Sequence, residues 1–187
     1  GMLGMHGTYE ANNAMHDCDL MINIGARFDD RITGKIDEFS PKSKKVHIDI
    51  DPSSINKNVK VELPIVGDVQ DVISSTIKTI KKTKPNFAKS NKQKISKWWE
   101  KIQKWREIKS LDFINSTETI KPQYAVQRLY ELTKNKDTYI TTEVGQHQMW
   151  AAQHYKFDKP NRWMTSGGLG TMGYGLPAAV GVQVAHP

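Results

Sequence analysis

Two neighbouring stretches decide the fold of this chain: EVGQHQMWAAQHY at residues 143–155 and RWMTSGGLGTMGYGLPAA at residues 162–179. Five of the thirteen glycines fall within residues 167–175. Each glycine inside a helix or strand costs roughly 0.5–1 kcal/mol, so this run predicts backbone that passes close to a ligand or another backbone. An apolar run precedes it, and Pro177 after it suits the first turn of a helix. The stretch therefore reads as strand, glycine turn and helix, with free N–H groups near a positive helix end. A tight turn between packed elements is the alternative.

The length and composition bound the class of protein. A chain of 187 residues holds one domain or parts of two and can bury a core. No apolar run approaches the roughly 20 residues of a membrane helix, and no signal peptide is visible. The single cysteine, Cys18, excludes an intrachain disulfide and favours a reducing compartment. Much of the net charge of +7 comes from residues 78–109, which hold twelve lysines and arginines and two acids.

The first 84 residues predict a parallel α/β sheet. Apolar runs predict strands at residues 20–25, 46–51 and 63–66, the first of them buried on both faces. Helices are predicted over residues 6–16 and after Asp68, a good N-cap residue. In such sheets ligands bind at the carboxyl ends of the strands.

Several side chains at these strand ends are candidates for ligand binding. Asp49 could bind a ribose hydroxyl, or could form a turn before Pro52. Arg27 and Arg31 could neutralise a diphosphate through bidentate N–H pairs, or could form a surface ion-pair loop. His6 lies between glycines and could face a ligand or belong to the loop alone.

The character of the chain changes over residues 83–116. Pro85 and the polar residues after it predict a linker. An amphipathic helix follows, with Ile95, Trp98, Trp99, Ile102, Trp105 and Lys109 at helical spacing. Nucleic-acid binding would need basic and aromatic groups together on one face, whereas this pattern separates them. We therefore expect the tryptophans to pack, the lysines to be solvated, and no nucleic acid to bind.

The α/β rhythm resumes from Ile120. A helix is predicted from Pro122 and a strand over residues 138–142, so that the loops at 143–149 and 166–175 could converge on one ligand. Gln146 and His147 can donate to phosphate oxygens. No CxxC, HExxH or GxSxG motif occurs, which leaves a protein-held zinc site or a hydrolase elbow without support.

Five motifs together resemble the large, catalytic subunit of acetolactate synthase, a thiamine-diphosphate enzyme. They are LGMHGTYEAN (3–12), GARFDDRITG (25–34), HIDIDP (47–52), GQHQMWAAQ (145–153) and SGGLGTMGYGLPAA (166–179). The resemblance covers the chain in order and implies an internal fragment with parts of two Rossmann-like parallel-sheet domains. It implies that residues 1–84 are the second half of a central FAD-contacting domain, residues 85–116 a linker, and residues 117–187 the start of the thiamine-diphosphate-binding domain.

The resemblance also implies an activity and its site residues. The family joins two pyruvates, or pyruvate and 2-oxobutyrate, in branched-chain amino acid biosynthesis; thiamine diphosphate supplies the carbanion chemistry, and FAD is bound without net redox work. The implied FAD contacts are Gly4, Met5, His6, Gly25, Ala26, Arg27, Asp29, Arg31, Asp49, Ile50, Gly67 and Asp68. The implied thiamine diphosphate contacts are Val144, Gly145, Gln146 and His147 on the phosphate side, and Gly170 and Met172 beside the rings.

The resemblance places other parts of the machinery outside this chain. The family's magnesium ligands and its activating glutamate match no residue here, so we assign no catalytic residue and no metal ligand, and expect residues 1–187 alone to be inactive. It implies a homodimer or tetramer in the cytoplasm or the plastid stroma, and leaves open a small regulatory subunit. Another thiamine enzyme, or a non-catalytic flavin- or nucleotide-binding module, is the competing interpretation.

Overall fold

The computed structural model describes residues 1–187 and divides into two units, residues 1–110 and residues 111–187. Each unit is α/β and contains a parallel sheet, which confirms the predicted fold class. None of the helices combines the length and the apolar character needed to cross a bilayer.

The first unit is built on a three-stranded parallel sheet of order β1-β2-β3. Its elements are α1 (Tyr9–Asp17), β1 (Leu20–Ile24), α2 (Asp30–Thr33), β2 (Lys44–Asp49), β3 (Leu63–Val66), α3 (Val69–Thr83) and α4 (Phe87–Arg106). Ile24 pairs with Ile48, and Asp49 pairs with Val66, so the three strands end at one edge. All three predicted strands are therefore present.

One face of β1 is open, contrary to the expectation that this strand is buried on both faces. Leu20, Ile22 and Ile24 are exposed, whereas Met21 and Asn23 between them are half-buried. β1 lies at the edge of the sheet, and no other element of the chain covers its outward side chains. Apolar character alone does not reveal whether a covering element belongs to the same stretch of chain.

The core of the first unit forms beneath the loop that follows β1. Phe28, Phe39 and Val59 are buried together, and the rings of Phe28 and Phe39 meet edge to face at 5.8 Å between centroids. His47 on the central strand is fully buried, with its ring 5.2 Å from that of Phe28. Aromatic pairs of this geometry add to the stability that burial supplies.

The helices of the first unit begin and pack for identifiable reasons. The Asp68 carboxylate accepts hydrogen bonds from the N–H groups of Gln70 and Asp71, which confirms it as the N-cap of α3. α4 begins at Phe87, within the stretch predicted as linker, and packs against α1.

The tryptophans of α4 are less buried than the sequence pattern suggests. Ile102 is the buried residue of the helix, Trp98 and Trp105 are half-buried, and Trp99 is 51% exposed. Lys101 lies over the Trp98 and Trp105 rings and donates to Asp17 of α1 at 2.7 Å. The prediction that the aromatic stripe packs and the lysines are solvated therefore holds only in part, since Trp99 is exposed and one lysine contacts both aromatic rings.

The second unit carries a two-stranded parallel sheet, β4-β5. Its elements are α5 (Pro122–Thr133), β4 (Ile140–Thr142), α6 (Gln146–His154), β5 (Trp163–Thr165) and α7 (Gly175–Ala185). α5 packs on α6, and α7 packs on β4. The predicted order of strand, glycine turn and helix is present as β5, residues 166–174 and α7.

Candidate functional site

The carboxyl ends of β1, β2 and β3 bring three predicted contact positions together in the first unit. Gly25 N–H donates to the Ile48 carbonyl at 2.9 Å, and Gly67 N–H donates to the Asp49 carbonyl at 2.9 Å. Gly25, Asp49 and Gly67 thus lie side by side at one edge. This is the position at which ligands bind in parallel α/β sheets.

The loop after β1 is held in an unusual backbone conformation. Phe28 has φ of 54°, which is rare for a bulky residue, and its side chain is only 7% exposed. Asn58 Nδ2 donates to the carbonyls of Arg27 and Phe28 at 3.0 and 3.1 Å. The loop is therefore fixed by a buried ring on one side and a side-chain amide on the other. Sequence reasoning missed Asn58, which lies in a polar run without a distinguishing pattern.

The two arginines of this loop form exposed ion pairs. Arg27 lies 3.2 Å from Asp29, and Arg31 lies 2.9 Å from Asp30. All four side chains are about half exposed or more, and pairs of this kind contribute at most about 1 kcal/mol. This is the ion-pair loop that the sequence left as one alternative. Because the pairs are weak, a phosphate could replace either carboxylate at little cost.

The amino-terminal segment lies directly against this loop. Met5 N–H donates to the Arg31 carbonyl at 3.0 Å, and Gly4 exchanges two hydrogen bonds with the side-chain amide of Asn12 at 2.8 and 2.9 Å. A Cβ atom on Gly4 would lie 2.3 Å from the Arg31 carbonyl oxygen, so a glycine is required there. His6 follows in the same turn. The structure thus joins two segments that the sequence analysis singled out separately.

The two aspartates of this edge differ in what their carboxylates do. Asp49 is nearly buried, accepts from Asp51 N–H at 2.9 Å, and lies 3.5 Å from His47 Nε2. The Asp68 carboxylate caps α3 through the N–H groups of Gln70 and Asp71, and Asp68 is also one of the implied FAD contacts. Ile50 and Ala26, two further implied contacts, are exposed at the same edge.

A polar network ties the strands of the second unit together just below their carboxyl ends. Thr142 Oγ1 donates to Thr165 Oγ1 at 2.8 Å, and accepts from Trp163 Nε1 at 3.0 Å. Gln148 Nε2 donates to the same Thr165 oxygen at 2.7 Å. Thr142 and Gln148 are buried, so these bonds are shielded from water. Gln148 lies within the 145–153 motif, but nothing in the local sequence indicated its contact with Thr165, since the network joins positions more than 15 apart.

The segment after β4 exposes the predicted phosphate-side contacts. Gly145 has φ of 147°, which favours glycine, and α6 begins at the next residue. Gln146 and His147 lie exposed at the start of the helix, and Val144 is half-buried behind them. An amide, an imidazole and the backbone of a helix start therefore face solvent together, and they supply the donors that a diphosphate accepts.

The start of α7 is occupied by a side chain that the sequence analysis did not single out. Glu143 Oε1 accepts from Tyr174 N–H and Oε2 from Gly175 N–H, each at 3.0 Å. Hydrogen bonds from backbone N–H groups, that of Gly175 foremost, lower the pKa of Glu143 below its usual value. The carboxylate is thus ionised at neutral pH. The folding stability that its hydrogen bonds contribute is present at neutral pH and is lost as the pH falls through that lowered pKa. Two of the N–H groups that the sequence predicted to be free at this helix end, those of Tyr174 and Gly175, are therefore engaged.

The glycine turn itself is open to solvent. Gly170 has φ of 66°, and Met172 beside it is 81% exposed. Thr171 N–H donates to Ser166 Oγ at 2.8 Å, which gives the turn some internal order. Leu169 and Met172 are both exposed and form an apolar ledge on the glycine turn.

No group of three or more His, Cys, Asp or Glu side chains in the chain is placed to hold a metal ion.

Each of the two units is α/β and has a parallel sheet, with glycines at or near the carboxyl ends of its strands. This arrangement is typical of cofactor-binding α/β proteins. A family model described as the central domain of thiamine pyrophosphate enzymes matches residues 1–76. A second, described as the C-terminal thiamine pyrophosphate binding domain of these enzymes, matches residues 143–187. The chain belongs to the thiamine pyrophosphate enzyme family.

Individual relatives agree with this assignment along the whole chain. An acetolactate synthase large subunit from Buchnera aphidicola subsp. Schizaphis graminum is 51% identical over 186 residues. The acetolactate synthase isozyme 3 large subunit of Escherichia coli is 49% identical over 187 residues, and the large subunit of the alga Pyropia yezoensis is 48% identical over 187 residues. In each case the matched region is 100% of this chain and between 30% and 32% of the relative.

Proposed function

We propose that this chain is the middle part of a catalytic subunit of acetolactate synthase. The observation that carries the proposal is identity of about one half, 48–51%, sustained along all of the chain to large subunits of that enzyme. The reaction would decarboxylate pyruvate and join the product to a second 2-oxo acid, pyruvate or 2-oxobutyrate. The products would enter valine, leucine and isoleucine biosynthesis.

We propose that each unit contacts a different cofactor at the carboxyl ends of its strands. Residues 1–84 would contact FAD at the edge that carries Gly4 to His6, the 25–31 loop, Asp49, Ile50, Gly67 and Asp68. Residues 117–187 would contact thiamine diphosphate, with residues 85–116 as the linker. Arg27 and Arg31 are exposed in the loop that begins at Gly25, and Gln146 and His147 are exposed directly after Gly145. Both pairs of side chains are donor sets that fit diphosphates.

Thiamine diphosphate, when bound, supplies the carbanion chemistry of the reaction. The part of this chain is to bind and orient. Gln146 and His147 would donate to phosphate oxygens, Gly145 and Gly170 would allow the backbone to approach, and Met172 would support the rings from its exposed position. Magnesium would be held by ligands that lie outside residues 1–187. We assign no proton transfer to a residue of this chain.

The proposal extends to assembly and location. A homodimer or tetramer would complete the sites, and the large-subunit relatives support a regulatory subunit as a further partner. Relatives from bacteria and red algae support a cytoplasmic or plastid location.

The test is a colorimetric acetolactate assay on the complete catalytic subunit of which residues 1–187 are proposed to be part, called the longer subunit from here on. The assay contains pyruvate, thiamine diphosphate, magnesium and FAD. We expect turnover that disappears when thiamine diphosphate or magnesium is withheld, and none from residues 1–187 alone. A longer subunit that binds thiamine diphosphate but makes no acetolactate would contradict the proposed reaction. Turnover by residues 1–187 above a heat-killed control would contradict the placement of metal and activating groups elsewhere.

A second prediction concerns the arginine loop. Arg27→Ala in the longer subunit should weaken FAD binding about tenfold or more, because one charge-assisted contact to phosphate is worth about 1.5–3 kcal/mol. Titration of FAD into the apo protein, followed by flavin fluorescence, measures the change. Lys35→Ala is the matched control, since Lys35 is equally exposed and pairs with Glu38 beyond the loop. Equal affinity of Arg27→Ala and the parent would exclude a diphosphate contact by Arg27.

A further inference from the structure

One side chain joins the two loops of the second unit. Glu143 is the first residue after β4, and its carboxylate reaches the amide groups of Tyr174 and Gly175, 31 and 32 residues further on. The two oxygens accept one hydrogen bond each, at 3.0 Å. The contact therefore fixes the start of α7 to the end of β4 at two points.

The backbones meet at the same place. A Cβ atom on Gly175 would lie 2.9 Å from the Glu143 nitrogen and 3.1 Å from the Thr142 carbonyl carbon. The first residue of α7 therefore rests on the end of the strand with no room for a side chain. The Glu143 contact and this close approach restrain the same junction, one by hydrogen bonds and the other by packing.

The junction lies between the two loops proposed to hold the cofactor. Val144 to His147 follow Glu143 directly, and the glycine turn that carries Gly170 and Met172 ends at Tyr174. The turn is otherwise open, with Leu169 and Met172 exposed to solvent. A change in the junction would consequently alter the distance between the donors at 146–147 and the apolar ledge at 169–172.

We propose that Glu143 is a positioning residue: its carboxylate sets the separation of the 144–147 segment and the 166–174 turn, and so shapes the thiamine diphosphate site. This rests on the proposed function. Both oxygens are engaged by backbone N–H groups, so Glu143 holds protein to protein and is not assigned contact with the cofactor. A neutral amide in its place offers one accepting oxygen where the carboxylate offers two.

The experiment compares Glu143→Ala and Glu143→Gln with the parent in the longer subunit. Glu131→Ala is the matched control, because Glu131 lies in the same unit but its carboxylate pairs with Lys134 on the surface. Thiamine diphosphate binding is measured by calorimetry with magnesium, FAD binding by fluorescence, and local structure by amide hydrogen exchange at Tyr174 and Gly175.

We expect Glu143→Ala to weaken thiamine diphosphate binding about tenfold, the loss that corresponds to a free-energy difference of 1.4 kcal/mol. FAD binding should stay within twofold of the parent, since a general folding defect would weaken both cofactors. Exchange at Tyr174 and Gly175 should accelerate at least tenfold. Glu143→Gln should lie between Glu143→Ala and the parent, and Glu131→Ala should match the parent.

The outcomes separate this inference from the proposed function. Failure of the parent to bind thiamine diphosphate would overturn the function and, with it, the role of Glu143 toward that cofactor. A parent that binds, with Glu143→Ala binding equally well, would overturn the inference alone. Unchanged exchange at Tyr174 and Gly175 in both Glu143 variants would also overturn it, because the junction would then not depend on the carboxylate. If Glu143→Ala does not fold, Glu143→Gln and its exchange rates decide the question.

Discussion

Replacing Gly175 with alanine is expected to destabilise the second unit by about 1–3 kcal/mol, the usual range for an atom forced into a filled space. The new methyl group would lie 2.9 Å from the Glu143 nitrogen and 3.1 Å from the Thr142 carbonyl carbon. Both neighbours are backbone atoms of β4 and its first following residue, so no side chain can rotate away. The helix has to move as a body, which would also lengthen or break the two hydrogen bonds to the Glu143 carboxylate.

Gly181→Ala in the same helix is the matched control. Nothing lies within 4 Å of the position that its Cβ would take, and its backbone is helical. Because alanine is favoured over glycine inside a helix, this variant should gain up to about 1 kcal/mol. Urea unfolding of the two variants and the parent, followed by circular dichroism, gives the comparison. Equal midpoints for Gly175→Ala and Gly181→Ala would show that α7 does not rest on β4 as described.

The framework of the fold could be predicted from local sequence pattern. Short apolar runs between helical segments gave the parallel strands, and Asp68 before an amphipathic run gave the start of α3. These signals are local, because a strand's burial or a helix's cap depends on residues that are close in sequence. The clustering of Gly25, Asp49 and Gly67 at one edge followed from strand direction alone.

What the sequence could not supply was the pairing of distant side chains. Glu143 with Tyr174, Asn58 with Arg27, and Gln148 with Thr165 are contacts between residues 17 to 31 positions apart. Nothing in the identity of a glutamate or an asparagine indicates which distant backbone group it will reach. The N–H groups of Tyr174 and Gly175 were expected to be free, because Glu143, which accepts from both, lies 31 and 32 residues earlier in the chain.

The exposure of side chains was also predicted wrongly where it depends on the elements that pack against them. The apolar side chains of β1 predicted a strand covered on both faces, yet one face is open in this chain. The tryptophans of α4 predicted a packed stripe, yet Trp99 is exposed and Lys101 lies over two of the rings. Periodicity reports which side chains share a face. The depth of their burial is set by neighbouring elements that periodicity does not encode.

Phe28→Ala should destabilise the first unit by about 3–5 kcal/mol, the range for removing a buried phenylalanine ring. The ring is 7% exposed and packs edge to face against Phe39 and His47, so its loss would leave a cavity lined by aromatic groups. Alanine would not relieve the backbone at φ of 54°, because that conformation is unfavourable for any residue with a Cβ atom.

The same ring links the core to the candidate FAD edge, so the substitution should have a second effect. With Phe28 truncated, Asn58 would remain to hold the backbone between Arg27 and Phe28. We therefore expect FAD affinity to fall together with stability. Phe87→Ala is the control, since that ring is 47% exposed at the start of α4 and should cost about 1 kcal/mol or less. Urea unfolding followed by tryptophan fluorescence measures stability, and flavin fluorescence measures binding. If Phe28→Ala unfolds at the same urea concentration as Phe87→Ala, the Phe28 ring cannot be the centre of the core from which the 25–31 loop is held.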